Sequence, residues 1–534
     1  MHVNHQSALP RFLGSAAMAL LLCAGSAMAG DGLLWSSGAR LEPQARQAAE
    51  LLGAAATHGL EPQDYHASEL LQAVNQAEEA AQDDSAPPQA MAASLARLEP
   101  ALTSALTHYL SDLHGGRIDP RLPHHDFAPP RSDAFDARAY LREAVAGQRL
   151  AEAARQAAPR LPLYEHLRQA LAHYRTRVGH AAWREPLPPL PGARRGAGGK
   201  LAPGQPYAGL ALLAARLAAV DDLAPGTALP PRYEGALVSA VQAFQQRHGI
   251  SPDGVVGPAT LAQLQVTPAA RARQIELALE RLRWTPLLQG PHMVVINIPE
   301  FVLRAYDVQD GRISVRQEMK VIVGKALNTR TPLFDETMRA IEFSPYWNVP
   351  PSIARAEVVP RLRRDPGYFA REGLEFVGAD GRADAVLSAA RLDAVLAGKA
   401  RIRQRPGPRN ALGDIKFIFP NSDNIYLHHT PSTQLFGRDR RDFSHGCIRV
   451  EQPLALARFV LQGMPGWDEA RIRQAMDKGV SSTLRLAQPV PVLIAYGTAL
   501  VKQGRPYFFE DIYGLDRVLD AALRQHARSH PSTE

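Results

Sequence analysis

The apolar residues change their spacing near residue 290, and that change divides the chain into two folding regimes. Before it they recur at helical intervals. Ala48, Leu51, Leu52 and Ala55 share one face of a helix read from Gln44 to His58, and Gly59 stands where a C-cap belongs. Ala- and Leu-rich stretches, including Ala92 to Leu113 and Ala137 to Ala157, extend this pattern to about Arg177. Beyond one more helix, Arg271 to Trp284, the period is two. Met293 to Ile298, Val302 to Tyr306 and Ile313 to Val323 read as strands, with Asp310-Gly311 as a hairpin turn. Ile415 to Phe419, Ile425 to His428, Thr483 to Leu486 and Val490 to Tyr496 follow as strands, with helices at Pro453 to Gln462 and Asp468 to Asp477. An arginine-rich mixed segment, Ile353 to Arg409, interrupts the β pattern and is expected to lie over the sheet.

A chain of 534 residues exceeds one ordinary core, so two to four domains are expected. The predicted divisions are a signal peptide at 1–29, a helical scaffold at 30–190, a linker at 191–208 and a small three-helix domain at 209–267. A connecting helix at 268–290, a mainly β domain at 291–500 with its insertion at about 353–409, and a C-terminal segment at 501–534 complete the chain. Hydrophobic content of 46% and charge of 21% are those of a globular protein. The net charge of +7 suits an acidic partner, and no nucleic-acid-binding motif accompanies it.

Arg11 precedes an apolar run from Phe12 to Ala24, and Ala27-Met28-Ala29 follows. This is the pattern of a cleavable secretory signal, with the mature chain starting at Gly30. The run is short for a membrane span, Leu22 is too large for a lipidation signal at Cys23, and no later segment is apolar enough to cross a bilayer. Of the two cysteines, Cys23 leaves with the signal. The mature chain keeps only Cys447, which cannot form an internal disulfide in a compartment that favours them.

Cys447 closes the stretch Ser444-His445-Gly446-Cys447-Ile448-Arg449-Val450, and His428-His429 lie at a strand end nineteen residues upstream. A thiol is a good nucleophile only as thiolate, and a nearby imidazole can take its proton. Gly446 allows close backbone approach, so its amide and that of Cys447 could serve an oxyanion. Three histidines and a cysteine could instead bind zinc, but adjacent strand residues His428 and His429 point to opposite faces. Ser422-Asp423-Asn424, without partner motifs, reads only as a turn.

The pattern His-x(15)-Ser-His-Gly-Cys-x-Arg from His428 to Arg449 resembles the signature of L,D-transpeptidase catalytic domains of the YkuD type. It is similar in particular to the large Gram-negative, YcbB-like branch with a helical scaffold and an inserted peptidoglycan-binding domain. Ser344 to Ile353, Pro406 to Gly413 and Tyr426 to Pro431 match too, and Tyr233 to Leu264 resembles the three-helix peptidoglycan-binding domain. The resemblance implies that Cys447 attacks, that His428 is the general base, and that the His429 backbone carbonyl holds the His428 imidazole. It implies that His445 and Gly446 shape the pocket and oxyanion site, that Arg449 supports the loop or meets a substrate carboxylate, and that Tyr346 and Trp347 begin a lid.

The reaction so implied is periplasmic formation of 3→3 cross-links through a thioester, from a tetrapeptide donor to the side-chain amine of a diamino-acid acceptor. It needs no metal and no organic cofactor. Other wall-synthesis enzymes would be further partners, with no nucleic acid and no membrane span after signal cleavage. Water as acceptor would give an L,D-carboxypeptidase, and a lipoprotein as acceptor an attachment enzyme. A non-catalytic scaffold holding peptidoglycan through Tyr233 to Leu264 is the alternative from another class. The resemblance also implies acylation by carbapenems.

Overall fold

The computed structural model describes residues 33–38, 40–82, 87–121, 135–194, 198–285, 290–309, 312–327 and 329–529. The expected signal peptide, with Cys23, and the expected Asp310-Gly311 turn lie outside them. The helical half and the β half are both present, and the helix over Pro268–Trp284 joins them.

The scaffold packs helices Pro43–Gly53, Ala67–Ala80, Pro88–Gly115, Ala137–Ala146, Leu150–Ala157 and Pro162–Arg175 around Trp35, Leu52, Tyr65, Tyr109, Leu141 and Leu171. Ile275 and Leu279 of the joining helix enter the same core. That helix starts at Pro268 behind Thr267, whose Oγ1 accepts the Ala270 amide at 3.2 Å. Buried in the scaffold, it carries Glu280 at zero exposure, so the carboxylate must be paired. The Arg117 amide and Arg283 Nη1 each reach it at 2.6 Å. Gly116, at φ +82°, is required there, because a Cβ would stand 2.8 Å from Glu280 Oε1.

The small domain has its own core of Leu213, Leu217, Tyr233, Leu237, Val241 and Phe244. Residues 191–208, expected as a linker, are partly built into it, since Leu201 is fully buried and bridges Val256, and Leu187 and Leu190, expected in the scaffold, join the same cluster. Apolar residues between the prolines hold this stretch against the domain. The segment expected as a separate C-terminal piece also runs back over the molecule. A hairpin, Ala499–Lys502 with Arg505–Phe508, plugs Phe508 into the scaffold core. Arg247 of the small domain meets Asp222 and donates to the Pro506 carbonyl at 2.6 Å. Helix Leu515–Ser529 then returns to the β domain through Leu519 and Leu523.

The β domain is built on strands β1 (His292–Asn297), β2 (Val302–Gln309), β3 (Arg312–Gly324), β4 (Phe334–Phe343), β5 (Ile415–Ile418), β6 (Leu427–His428), β7 (Asp442–Ser444), β8 (Ile448–Val450) and β9 (Ser482–Ala495). Their order is β7-β3-β8-β6-β5-β4-β9-β1-β2, and β2 also pairs with β3, so the pairings close in a ring. Closure removes the long free edges. Alternation points Val294, Ile296, Leu303, Val321, Ile415, Phe417, Leu427, Ile448, Val492 and Ile494 into one core. Strand β4 escapes a period-two reading because its inward residues, Met338 and Ile341, are three apart. The register shift between Arg485 and Val490 on β9 accommodates that break.

The insertion, the expected lid, has its own core of Val349, Val358, Leu362, Phe369, Phe376 and Ile402. Its small sheet runs Trp347–Asn348, Ala400–Gln404, Leu374–Gly378, Ala383–Asp384. Buried Asn410 fastens the base: its Nδ2 donates to Pro345 O at 3.0 Å and Arg405 O at 2.9 Å, tying the outgoing chain to the incoming one. The Pro406–Gly413 match is therefore a structural clasp.

Candidate active site

The site follows from one strand register. Strands β6 and β8 are parallel, with Leu427 opposite Ile448 and His428 opposite Arg449. Leu427, Ile448 and Val450 point into the core, so Tyr426, His428, Cys447 and Arg449 share the other face. Tyr426 falls across from Cys447, and His428 is its diagonal neighbour, a separation side chains of this size span. Lys416 on β5 pairs with His428, and Glu342 on β4 pairs with Lys416, extending one polar row across four strands.

His428 is 4% exposed. Its Nδ1–H donates to the His429 carbonyl at 2.5 Å, which leaves Nε2 as the acceptor. Burial, with Arg449 next in weight, lowers its pKa to about 3, and the bond to His429 only partly opposes this. The imidazole is neutral at physiological pH. The His429 side chain turns the other way and meets Asp414 Oδ1 at 2.8 Å. The His429 side chain thus leaves the expected carbonyl contact intact.

Cys447 is partly exposed, and its sulfur faces Asn424 O at 3.7 Å. Burial raises the thiol pKa, while hydrogen bonds from the Tyr426 amide and hydroxyl and the charges of Lys416 and Arg449 work against that rise. Burial thus disfavours both the imidazolium of His428 and the thiolate of Cys447.

The loop before Cys447 is fixed from below. Ser444 O accepts Lys325 N at 3.0 Å and Thr329 Oγ1 at 3.1 Å. Thr331 Oγ1 donates to Gly446 O at 2.7 Å, and Tyr513 Oη donates to Gly324 O at 2.7 Å. Gly446 sits at φ +114°, with Ile425 Cδ1 3.1 Å from where a Cβ would be, so only glycine suits it. Its amide donates to Ser444 Oγ at 3.2 Å. Among the described residues no acceptor is recorded for the Cys447 amide, which leaves that amide as the backbone donor of the pair.

The remaining expected residues divide. His445 Nε2 lies 2.7 Å from Glu357 Oε1 of the lid, so it ties the lid to the loop beside the cysteine. Buried Arg449 Nε has no hydrogen-bond partner, and burial lowers the guanidinium pKa. Tyr346 stacks under Arg403, 4.2 Å from its ring centre, while Trp347 joins the lid sheet and packs on the lid core. Sequence reasoning did not single out Tyr426, Lys416 or Glu357. Tyr426 was within reach, being two residues before His428 on one strand face; the other two need the pairing register and the lid path. Ser422-Asp423-Asn424 is a turn, held by Asn421 Nδ2 on Ile425 O at 2.8 Å. Among the described residues no group of three or more His, Cys, Asp or Glu side chains gathers for a metal, and no helix is long and apolar enough to cross a membrane.

Known families match three parts of the chain. Residues 291–467 match the L,D-transpeptidase catalytic domain (YkuD), residues 27–171 a scaffold domain and residues 210–264 a peptidoglycan binding domain. The chain thus carries an L,D-transpeptidase catalytic domain together with a peptidoglycan-binding domain. A curated Haemophilus influenzae protein named as an L,D-transpeptidase is 31% identical over 253 residues, covering 47% of this chain. The chain spans about half the length of that relative, 49% of it. The crystal structure of an L,D-transpeptidase (Yku) from Stackebrandtia nassauensis aligns with a TM-score of 0.22 and 14% identity, over 55% of this chain and 94% of that one.

Proposed function

We propose that this protein is an exported cysteine L,D-transpeptidase that makes 3→3 cross-links in peptidoglycan. The observation that supports it best is the shared face of Tyr426, His428, Cys447 and Arg449, with the His428 Nδ1–H committed to the His429 carbonyl. Only the Nε2 lone pair is then offered to a proton. Cys447 sulfur attacks the carbonyl of the third stem residue of a tetrapeptide as His428 takes the thiol proton. The C–N bond to the terminal D-alanine breaks, and His428 returns the proton to the departing amine. The side-chain amine of a diamino acid on another stem attacks the thioester. It gives its proton to His428, and the sulfur leaves as thiolate. The Cys447 amide is the backbone donor assigned to the oxyanion; Gly446 supplies the turn that aims it. Arg449 is the cation offered to a substrate carboxylate, and Tyr346 and Trp347 anchor the lid that excludes water. Export rests on Arg11, the apolar run and Ala27-Met28-Ala29.

Muropeptide analysis of cells with and without the protein is the test. A rise in 3→3 dimers is expected. Tripeptides without dimers would assign water as acceptor, and unchanged muropeptides would leave only a wall-binding scaffold. Transfer to a lipoprotein would appear as wall-bound protein instead.

A further inference from the structure

The polar row continues past His428 to two residues the chemistry above does not use, Lys416 and Glu342. The Lys416 ammonium lies 3.6 Å from Glu342 Oε2, and both side chains are only about one-fifth exposed, at 20% and 18%. Glu342 is itself held, since Ser481 Oγ donates to its Oε1 at 3.3 Å. The same ammonium sits 4.2 Å over the face of the Tyr426 ring. That ring meets the His428 ring in a T-shaped contact, with ring centres 5.7 Å apart, and the β6–β8 register puts Tyr426 across from Cys447. Lys416 already has a carboxylate, so it is poorly suited to capture an anion. It is well suited to hold a ring, because a cation over a π face is attracted and draws electron density from it. A phenol so polarised is a stronger donor to a thiolate.

We propose that Lys416, fixed by Glu342, is a positioning residue that holds the Tyr426 phenol on the Cys447 sulfur and thereby favours the thiolate. This rests on Cys447 being the nucleophile. The test reads the thiol itself: iodoacetamide labelling of Cys447 in the full chain, followed by the mass of its peptide across pH. Lys416→Met is expected to slow labelling roughly tenfold below the thiol midpoint, which corresponds to about one unit upward in that midpoint. Lys416→Arg keeps a cation over the ring and should stay within about threefold of the parent rate. Tyr426→Phe should reproduce the slowing, and the double variant should add little to it, because both act through one hydrogen bond. Glu342→Gln, a milder change, should slow labelling in the same direction. An unmoved pH profile in Lys416→Met, or losses that multiply in the double variant, would overturn the proposal. If Lys416→Met fails to fold, Glu342→Gln with parent labelling would do so too. Turnover by Cys447→Ala would defeat the nucleophile assignment, whereas an unmoved profile with Cys447-dependent turnover defeats only the role of Lys416.

Discussion

Two regions of this molecule bury charge, and they do so for different ends. At the scaffold junction, Glu280 is met by the Arg117 amide and by the guanidinium groups of Arg117 and Arg283. Burial alone would raise its carboxyl pKa, but these partners outweigh burial and hold it below the usual range. Both regions leave a buried nitrogen without a hydrogen-bond partner, Arg283 Nε at the junction and Arg449 Nε beside Cys447; the difference is that burial prevails beside Cys447, whose thiol it pushes up. A paired cluster stabilises the fold. Where burial prevails, the row gives up stability, as the proposed catalytic role would require.

Substitutions should separate the two. His428→Ala removes the proposed general base and is expected to cut turnover about 10²–10⁴-fold, a far larger effect than its loss of one buried contact has on stability. Loss of scaffold stability with retained turnover would reverse the assignment. Glu280→Ala should do the opposite, lowering stability by about 3–5 kcal/mol because buried Arg117 and Arg283 are left unpaired. Iodoacetamide labelling of Cys447 in the folded protein should be unchanged; a variant as stable as the parent would mean that the junction does not hold the fold.

Acid and base should also act differently on the two regions. Asp112 in the scaffold has its pKa raised by burial to about 7. Its folded pKa exceeds the unfolded value of about 3.9, so its contribution is complete below about pH 4 and is lost as pH rises through 7. His428 has the reverse sign: folded at about 3 against about 6.5 unfolded, its contribution is complete above about pH 6.5 and is lost as pH falls toward 3. Asp112→Asn should abolish the fall in stability from about pH 4 to 7 and leave the rise from about pH 3 to 6.5 that His428 sets. A uniform shift would contradict this division. The smallest effect is expected at the lid tie: Glu357→Gln weakens a partly exposed contact to His445 and should change KM only a few-fold. A loss as large as that of His428→Ala would make the tie part of the chemistry.

The same contrast explains what could be read in advance. His428 and Cys447 could be singled out as candidates from residue type and spacing, and the β6–β8 register puts them on one sheet face. The helical scaffold and the joining helix were legible from their periodic faces. Strand β4 was not, because its register break places Met338 and Ile341 on one side and mimics helical spacing. Residues 191–208 read as a linker because proline and glycine mask the burial of Leu201. Lys416 and Glu342 reach the site only through cross-strand pairing, which no local pattern encodes. The Gly446 amide seemed free until Ser444 Oγ was found to hold it.

The central claim is that the sulfur of Cys447 carries the acyl group. Intact mass of the full chain after exposure to a carbapenem, with the adduct mapped by peptide mass, tests it most directly. One adduct on Cys447 in the parent and none in Cys447→Ala is the predicted result. An adduct of the same mass on Cys447→Ala would contradict it.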